Sequence, residues 1–125
     1  MKKLTSMILS IGLGGLLLLA GCSSDHSKVS NGVNKMLDTT KQLSKAIDSG
    51  DQTKVKEVGP KLEDQWSSFE DEVKKDHKDL YDKIETYLDP TVAGSKATTM
   101  DKKALSNLNS KLTDALMELE RKLNR

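Results

Sequence analysis

Apolar residues recur at intervals of three and four along most of the chain, the period of helices with one buried face. Val29, Val33, Met36, Thr40, Leu43 and Ile47 make a first stripe, which Ser49-Gly50-Asp51 ends. Gly50 suits the left-handed position just past a helix, and Asp51 suits the cap of the next one. Val55, Val58, Leu62, Trp66, Phe69 and Val73 make a second stripe, interrupted by Gly59-Pro60. Proline lacks a backbone donor and biases the preceding residue away from helical geometry, so a kink or a short leading helix is expected there. After an expected turn at Asp76-His77, Leu80, Ile84 and Leu88 make a third stripe, which Asp89-Pro90 should end. Thr91 to Thr98, with Gly94 and Ser95, reads as a loop. Thr98 with Asp101 three residues on resembles a capping box, and the fourth stripe is Leu105, Leu108, Leu112, Leu116, Leu119 and Leu123.

Four amphipathic helices with short connections predict an all-α fold, an antiparallel up-down four-helix bundle whose second helix is kinked near Pro60. One continuous helix through residues 51–88 is the alternative, because the turn near His77 contains neither Gly nor Pro. No stretch alternates with period two, so no strand is expected.

The first residues follow a different pattern. Lys2 and Lys3 precede a mainly apolar run of 14 residues, Met7 to Ala20. A membrane-spanning helix needs about 20 apolar residues, so a cleaved export signal is the better reading. Leu19-Ala20-Gly21-Cys22 resembles the lipobox of bacterial lipoproteins. That resemblance implies a diacylglyceryl group on the Cys22 thiol, cleavage before Cys22, and acyl chains such as palmitate in the bilayer. Each buried methylene contributes about 0.8 kcal/mol, so two or more chains anchor stably where one is marginal. The alternative is an ordinary secreted protein with a chance Cys near its cleavage site. The expected organisation is a signal peptide over 1–21, the lipidated Cys22 with a short polar tether over 22–28, and a helical domain over 29–125. The expected location is the extracytoplasmic face of the cell membrane, of either a Gram-positive or a Gram-negative envelope.

Removing residues 1–21 takes away Lys2 and Lys3 and leaves 18 Lys and Arg against 19 Asp and Glu. Nucleic-acid binders carry a basic excess, so no nucleic-acid partner is expected. With Cys22 carrying lipid, neither a disulfide nor a thiol nucleophile is available. No glycine-rich phosphate loop, HExxH or GxSxG motif occurs. His26 lies in the expected tether and His77 at the expected turn, each without a partner at metal-ligand spacing. The chain is therefore expected not to be an enzyme.

The four aromatic residues, Trp66, Phe69, Tyr81 and Tyr87, all lie between positions 66 and 87. Carboxylates border them. Glu70 follows Phe69, Glu85 follows Ile84, and Asp82, Glu85 and Asp89 share one helical face at spacings of three and four. Like charges at that spacing destabilise a helix by a few tenths of a kcal/mol. Lys78 can offset Asp82, but Glu85 and Asp89 have no local cation. A hard cation held by carboxylates from facing helices would relieve the repulsion. A solvated charged face, with Glu70 paired to Lys74, is the alternative.

Trp66-x-x-Phe69-Glu70 and Tyr81-x-x-Ile84-Glu85-x-x-Leu88 together resemble the extracytoplasmic helical domain of bacterial high-affinity iron permeases and of the lipoproteins that work with them. Ala46-Ile47-Asp48-Ser49-Gly50-Asp51 is similar to the turn before the Trp helix in that family. The resemblance covers about residues 43–123. It implies a four-helix domain outside the membrane that helps deliver iron to a permease, with Glu70 and Glu85 as candidate ligands for iron or another hard cation. The permease's transmembrane helices and the HxxE pair of imelysin-like lipoproteins are both missing from this sequence. The alternative function is a structural lipoprotein that docks another envelope protein and has no ligand of its own. An enzyme accessory or inhibitor domain is a third possibility.

Overall fold

The computed structural model describes the backbone from Lys3 onward and the side chains from Asp25 to Arg125. All regular structure among the described residues is helical. The chain forms α1 (Lys3–Ser49), α2 (Gln52–Val58), α3 (Lys61–Ser67), α4 (Glu70–Asp76), α5 (Lys78–Lys96) and α6 (Lys102–Leu123). Helix α1 packs along α6 on one side and along α2 to α4 on the other. Helix α5 likewise packs between α6 and the α2–α4 stretch. Among the described residues the backbones of α1 and α5 do not approach closely, nor do those of α6 and α2–α4. The seam between α1 and α6 therefore lies opposite the seam between α2–α4 and α5.

The three- and four-residue spacing places the first three stripes inside. Every member of the first and second stripes is buried, as are Leu80, Ile84 and Leu88 of the third. The turn after α1 forms as its residues require. Gly50 takes φ +71°, and Gly50 N–H and Asp51 N–H donate to the carbonyls of Ile47 and Ala46 at 3.0 Å each. This is the Schellman pattern that satisfies the last carbonyls of a helix. The Asp51 carboxylate then accepts from Lys54 N–H at 3.0 Å and caps α2.

The expected second helix is three short ones. The first break, at Gly59-Pro60, is where proline removes a donor. Both residues nevertheless keep helical dihedrals, so the chain changes course without a loop. Gly59 is also needed for clearance, since a Cβ there would sit 2.0 Å from Ser95 Oγ on α5. The second break, at Ser68-Phe69, has no proline or glycine to announce it. Ser67 and Ser68 hydroxyls donate to the carbonyls of Asp64 and Gln65, at 3.0 and 2.7 Å. Such side-chain bonds compete with the backbone ladder. Phe69 leaves the helix at φ −141° and ψ 3° and swings into the core, where it is fully buried. The third break, at His77, falls at the expected turn, with φ −140° and ψ 60°.

Three other expectations are corrected. Asp89-Pro90 does not end the third helix: α5 runs to Lys96 with Pro90 inside it. The extra turns bury Thr91, Val92 and Ser95, and the Thr91 and Ser95 hydroxyls donate to the carbonyls of Tyr87 and Val92 at 2.6 and 2.7 Å. Packing against α2–α3 and α6 offsets the donor that Pro90 lacks. The cap of the last helix is Asp101, not Thr98, with its carboxylate accepting from Ala104 N–H at 3.0 Å. A charged cap interacts with the helix N-terminus more strongly than a hydroxyl does. In α6, Leu108 and Leu123 are only half-buried, while Asn109 and Ala115 are buried among Leu105, Leu112, Leu116 and Leu119. Residues 25–28, in the expected tether, are helical and continuous with α1. His26 Nε2 bonds the Leu123 carbonyl at 3.0 Å, and Lys28 pairs with Glu72 at 3.0 Å, which hold this turn against the bundle. The expected signal peptide and the Cys22 side chain lie outside the residues whose side chains are described. Among the described residues, no helix is long and apolar enough to cross a membrane.

Candidate functional site

The break at Phe69 determines what the α3–α4 junction presents to α5. Trp66 ends the buried face of α3, with only 2% of its surface exposed. Its indole Nε1–H donates to the Glu85 carboxylate on α5. The Phe69 ring meets the indole edge-on, with centroids 5.3 Å apart and planes at 81°. Tyr81, one turn before Glu85, stacks on the indole at 5.7 Å and 28°. Behind Phe69 lies Gly32 of α1, where a Cβ would fall 2.3 Å from the ring. The indole is thus held on three sides, and its one polar atom selects the position of Glu85. A buried indole N–H generally requires such a partner.

Glu70 opens α4 and faces the same cluster, half-buried. Burial first, and then the negative charges of Glu85 and Asp71, raise its carboxyl above the usual carboxylate range. Lys74 opposes that rise and Asp89 adds to it. The structure therefore brings Glu70 and Glu85, the two carboxylates singled out in the sequence, within electrostatic reach of each other across two helices. Tyr81 responds to the same field. Burial, then Glu85 and Glu70, push its phenol above the ordinary value.

The cations nearby are placed differently from the sequence expectation. Lys74 does not form an ion pair with Glu70. Its ammonium lies 5.3 Å from the Tyr81 ring centroid, and that of Lys78 lies 5.7 Å from the same ring. Lys78 does offset Asp82, as expected, with contacts of 2.7 and 2.9 Å to the two carboxylate oxygens. Asp89 is exposed. Among the described residues no ion pair closes on Glu70, Glu85 or Asp89.

Because the folded state raises the Glu70 pKa, ionisation of this group is easier in the unfolded chain. Below about pH 4.5, its ordinary value, Glu70 is protonated in both states and contributes no difference. As the pH rises through that value and the higher folded one, the folded state loses stability relative to a chain with a neutral residue there. Glu70→Gln should therefore be more stable than the wild type at pH 7, and the gain should vanish by pH 4. Urea midpoints at the two pH values measure it. Equal midpoints at pH 7 would show that neither burial nor the neighbouring carboxylates raise the Glu70 carboxyl in the folded chain.

Among the described residues no group of three or more His, Cys, Asp or Glu side chains is placed to hold a metal ion. Glu70 and Glu85 offer two carboxylates, one of them already accepting from Trp66. A hard cation takes about six oxygen ligands, so water or another molecule would supply the rest. Sequence spacing could not show the Trp66–Glu85 bond, which joins residues 19 positions apart. Nor could it show that His26 and His77 line one cavity of about 340 Å³ with Asp25, Glu72 and Asp76.

Over 120 aligned positions the chain is 28% identical to the iron uptake system component EfeM of Bacillus subtilis (strain 168). The alignment covers 83% of this chain and 31% of that relative, so the chain spans about a third of its length. No family model matches the chain, and no solved structure matches it. The similarity to EfeM supports a relation to iron-uptake proteins.

Proposed function

We propose that this chain is a non-enzymatic lipoprotein, held at the extracytoplasmic face of the cell membrane by acyl chains on Cys22, which assists iron uptake by a permease. Its body is read as an antiparallel four-helix bundle in which α2–α4 together form the second rod. The observation that carries the functional reading is that Glu70 and Glu85 are both half-buried where α4 meets α5, Glu85 held by the Trp66 indole, with no ion pair closing on either among the described residues. Similarity to an iron uptake component supports the choice of cargo.

Two carboxylates hold a ferric ion by a minority of its coordination positions. That suits transient holding and transfer, because the open positions are available to the next protein's ligands. An enclosed site would retain its ion. A second reading, a docking lipoprotein with no ligand of its own, is favoured by the open groove between α1 and α6, which has the exposed Met117 in its lining.

Uptake of radiolabelled iron by cells tests the proposal. Deleting the chain should slow uptake several-fold in iron-poor medium, and the wild-type chain should restore it. Cys22→Ala should abolish incorporation of labelled palmitate and fail to restore uptake. Uptake that is unchanged by deletion would remove the iron reading. A wild-type chain that takes up no labelled palmitate would remove the lipid anchor.

A further inference from the structure

We propose that the groove between α1 and α6 is a docking surface for a basic, amphipathic helical segment of another protein. The groove encloses about 680 Å³. Its lining runs from Leu37 to Asp48 on α1 and from Ser106 to Glu120 on α6. At about 1.5 Å per residue this is a trough of three to four helical turns, long enough for a helix and too open for a small molecule to be enclosed. It lies on the seam opposite the one that carries Glu70 and Glu85, so it is a separate surface and its test needs no iron.

Three features select the occupant. Small side chains, Ser44, Ser106, Ser110 and Thr113, line the trough, so a partner backbone can approach closely. At its edge lies Met117, 42% exposed and the one large hydrophobic residue exposed among the described residues. Together with half-buried Leu37 it offers an apolar contact. The rim is acidic. Asp38, Asp48, Asp114 and Glu120 outnumber Lys41 along the lining. Lys102 approaches only the Asp48 end, where its ammonium donates to the Asp48 carbonyl at 2.8 Å. None of the four acids takes part in an ion pair among the described residues. A partner with lysines or arginines flanking an apolar stripe complements that rim.

The floor of the groove supplies a reporter. Asn109 is 3% exposed and lines the groove. Its Nδ2 donates to the Thr40 carbonyl of α1 at 2.9 Å. That bond orients the amide and leaves Oδ1 as a buried acceptor with no partner. Buried polar atoms are rarely left unpaired. That atom is covered by the fold itself, so a docked segment would be sensed through the Asn109 side-chain amide and not through a bond to Oδ1.

The test uses the full chain in detergent, labelled with ¹⁵N and with ¹³C at the methionine methyls. The probe is a synthetic helical peptide of about four turns, with leucines on one face and lysines flanking them. A second peptide with glutamates in place of the lysines is the comparison. The lysine peptide should give saturable shifts at the Asn109 side-chain amide and the Met117 methyl, and the glutamate peptide should give none. Asp114→Lys with Glu120→Lys should weaken binding at least tenfold, and Asp71→Lys, on α4, should leave it unchanged. Equal binding of the two peptides, or shifts confined to other faces, would overturn the proposal. So would a concentration-dependent dimer with Met117 protected, since the groove would then hold a second copy of this chain.

Discussion

Phe69→Ala is expected to lower the unfolding free energy by about 3–5 kcal/mol, the range for deleting a fully buried aromatic ring. For a domain of this size that is a large part of a total of about 5–15 kcal/mol. Three contacts make the site intolerant. The ring is fully buried, rests over Gly32 of α1 where no Cβ can fit, and supports the indole of Trp66 edge-on at 5.3 Å. The cavity cannot close from the α1 side, because Gly32 has no side chain to move into it. Loss of the ring should also let the indole move, which weakens the hold on Glu85. Urea unfolding followed by Trp66 fluorescence reads both effects, as a lower midpoint and as a changed native spectrum. A loss under about 1 kcal/mol would mean that the Ser68-Phe69 break does not serve to bury this ring.

The second large effect concerns cargo. Glu70→Gln with Glu85→Gln should reduce ferric-ion binding by residues 23–125 at least tenfold, about 1.4 kcal/mol. The double variant removes both negative charges and keeps the shape of both side chains, including an acceptor for the Trp66 indole. Its fold should therefore survive, and at pH 7 its stability should rise because the repulsion between the pair is gone. Calorimetric titration measures the binding. A wild-type chain that shows neither heat nor stabilisation with ferric ion would eliminate direct binding and leave the docking reading. A double variant that binds as tightly as the wild type would place the ion elsewhere.

Much of this site was legible in the sequence, and the reasons are local. Trp66, Phe69 and Glu70 follow one helical stripe, and Tyr81, Ile84 and Glu85 follow the next. Spacing alone therefore placed both carboxylates beside a core. What spacing could not supply was the register between the two stripes, because nothing local relates position 66 to position 85. Lys74 shows the same limit. Its position four residues after Glu70 suggested an ion pair, but the folded chain offers its ammonium the face of Tyr81. Exposed pairs at this spacing are worth only a few tenths of a kcal/mol, so a modest competing contact is enough to redirect the side chain.

Helix ends divide in a similar way. Gly50 and Asp51 were readable because a left-handed C′ residue and a capping carboxylate act on their own neighbours, and both act as expected. Pro90 was read as a stop because proline costs a helix one bond and some strain. That local cost is outweighed by burial of Thr91, Val92 and Ser95 against distant segments. The Ser68-Phe69 break failed in the opposite sense. Nothing local demands it, and it serves a core contact with Gly32 that lies 37 positions away.

The sequence by itself therefore determined the helical class, the faces of the first three stripes, the cap after α1 and the position of Glu70 and Glu85 beside the core. Each follows from the 3.6-residue period or from the chemistry of adjacent residues. Only the tertiary structure decided that α2–α4 are three segments, that α5 continues through Pro90, that Asn109 lies in the floor of an acidic groove, and that Trp66 holds Glu85. Those features depend on contacts between residues far apart in the chain, where packing and burial exceed local preference.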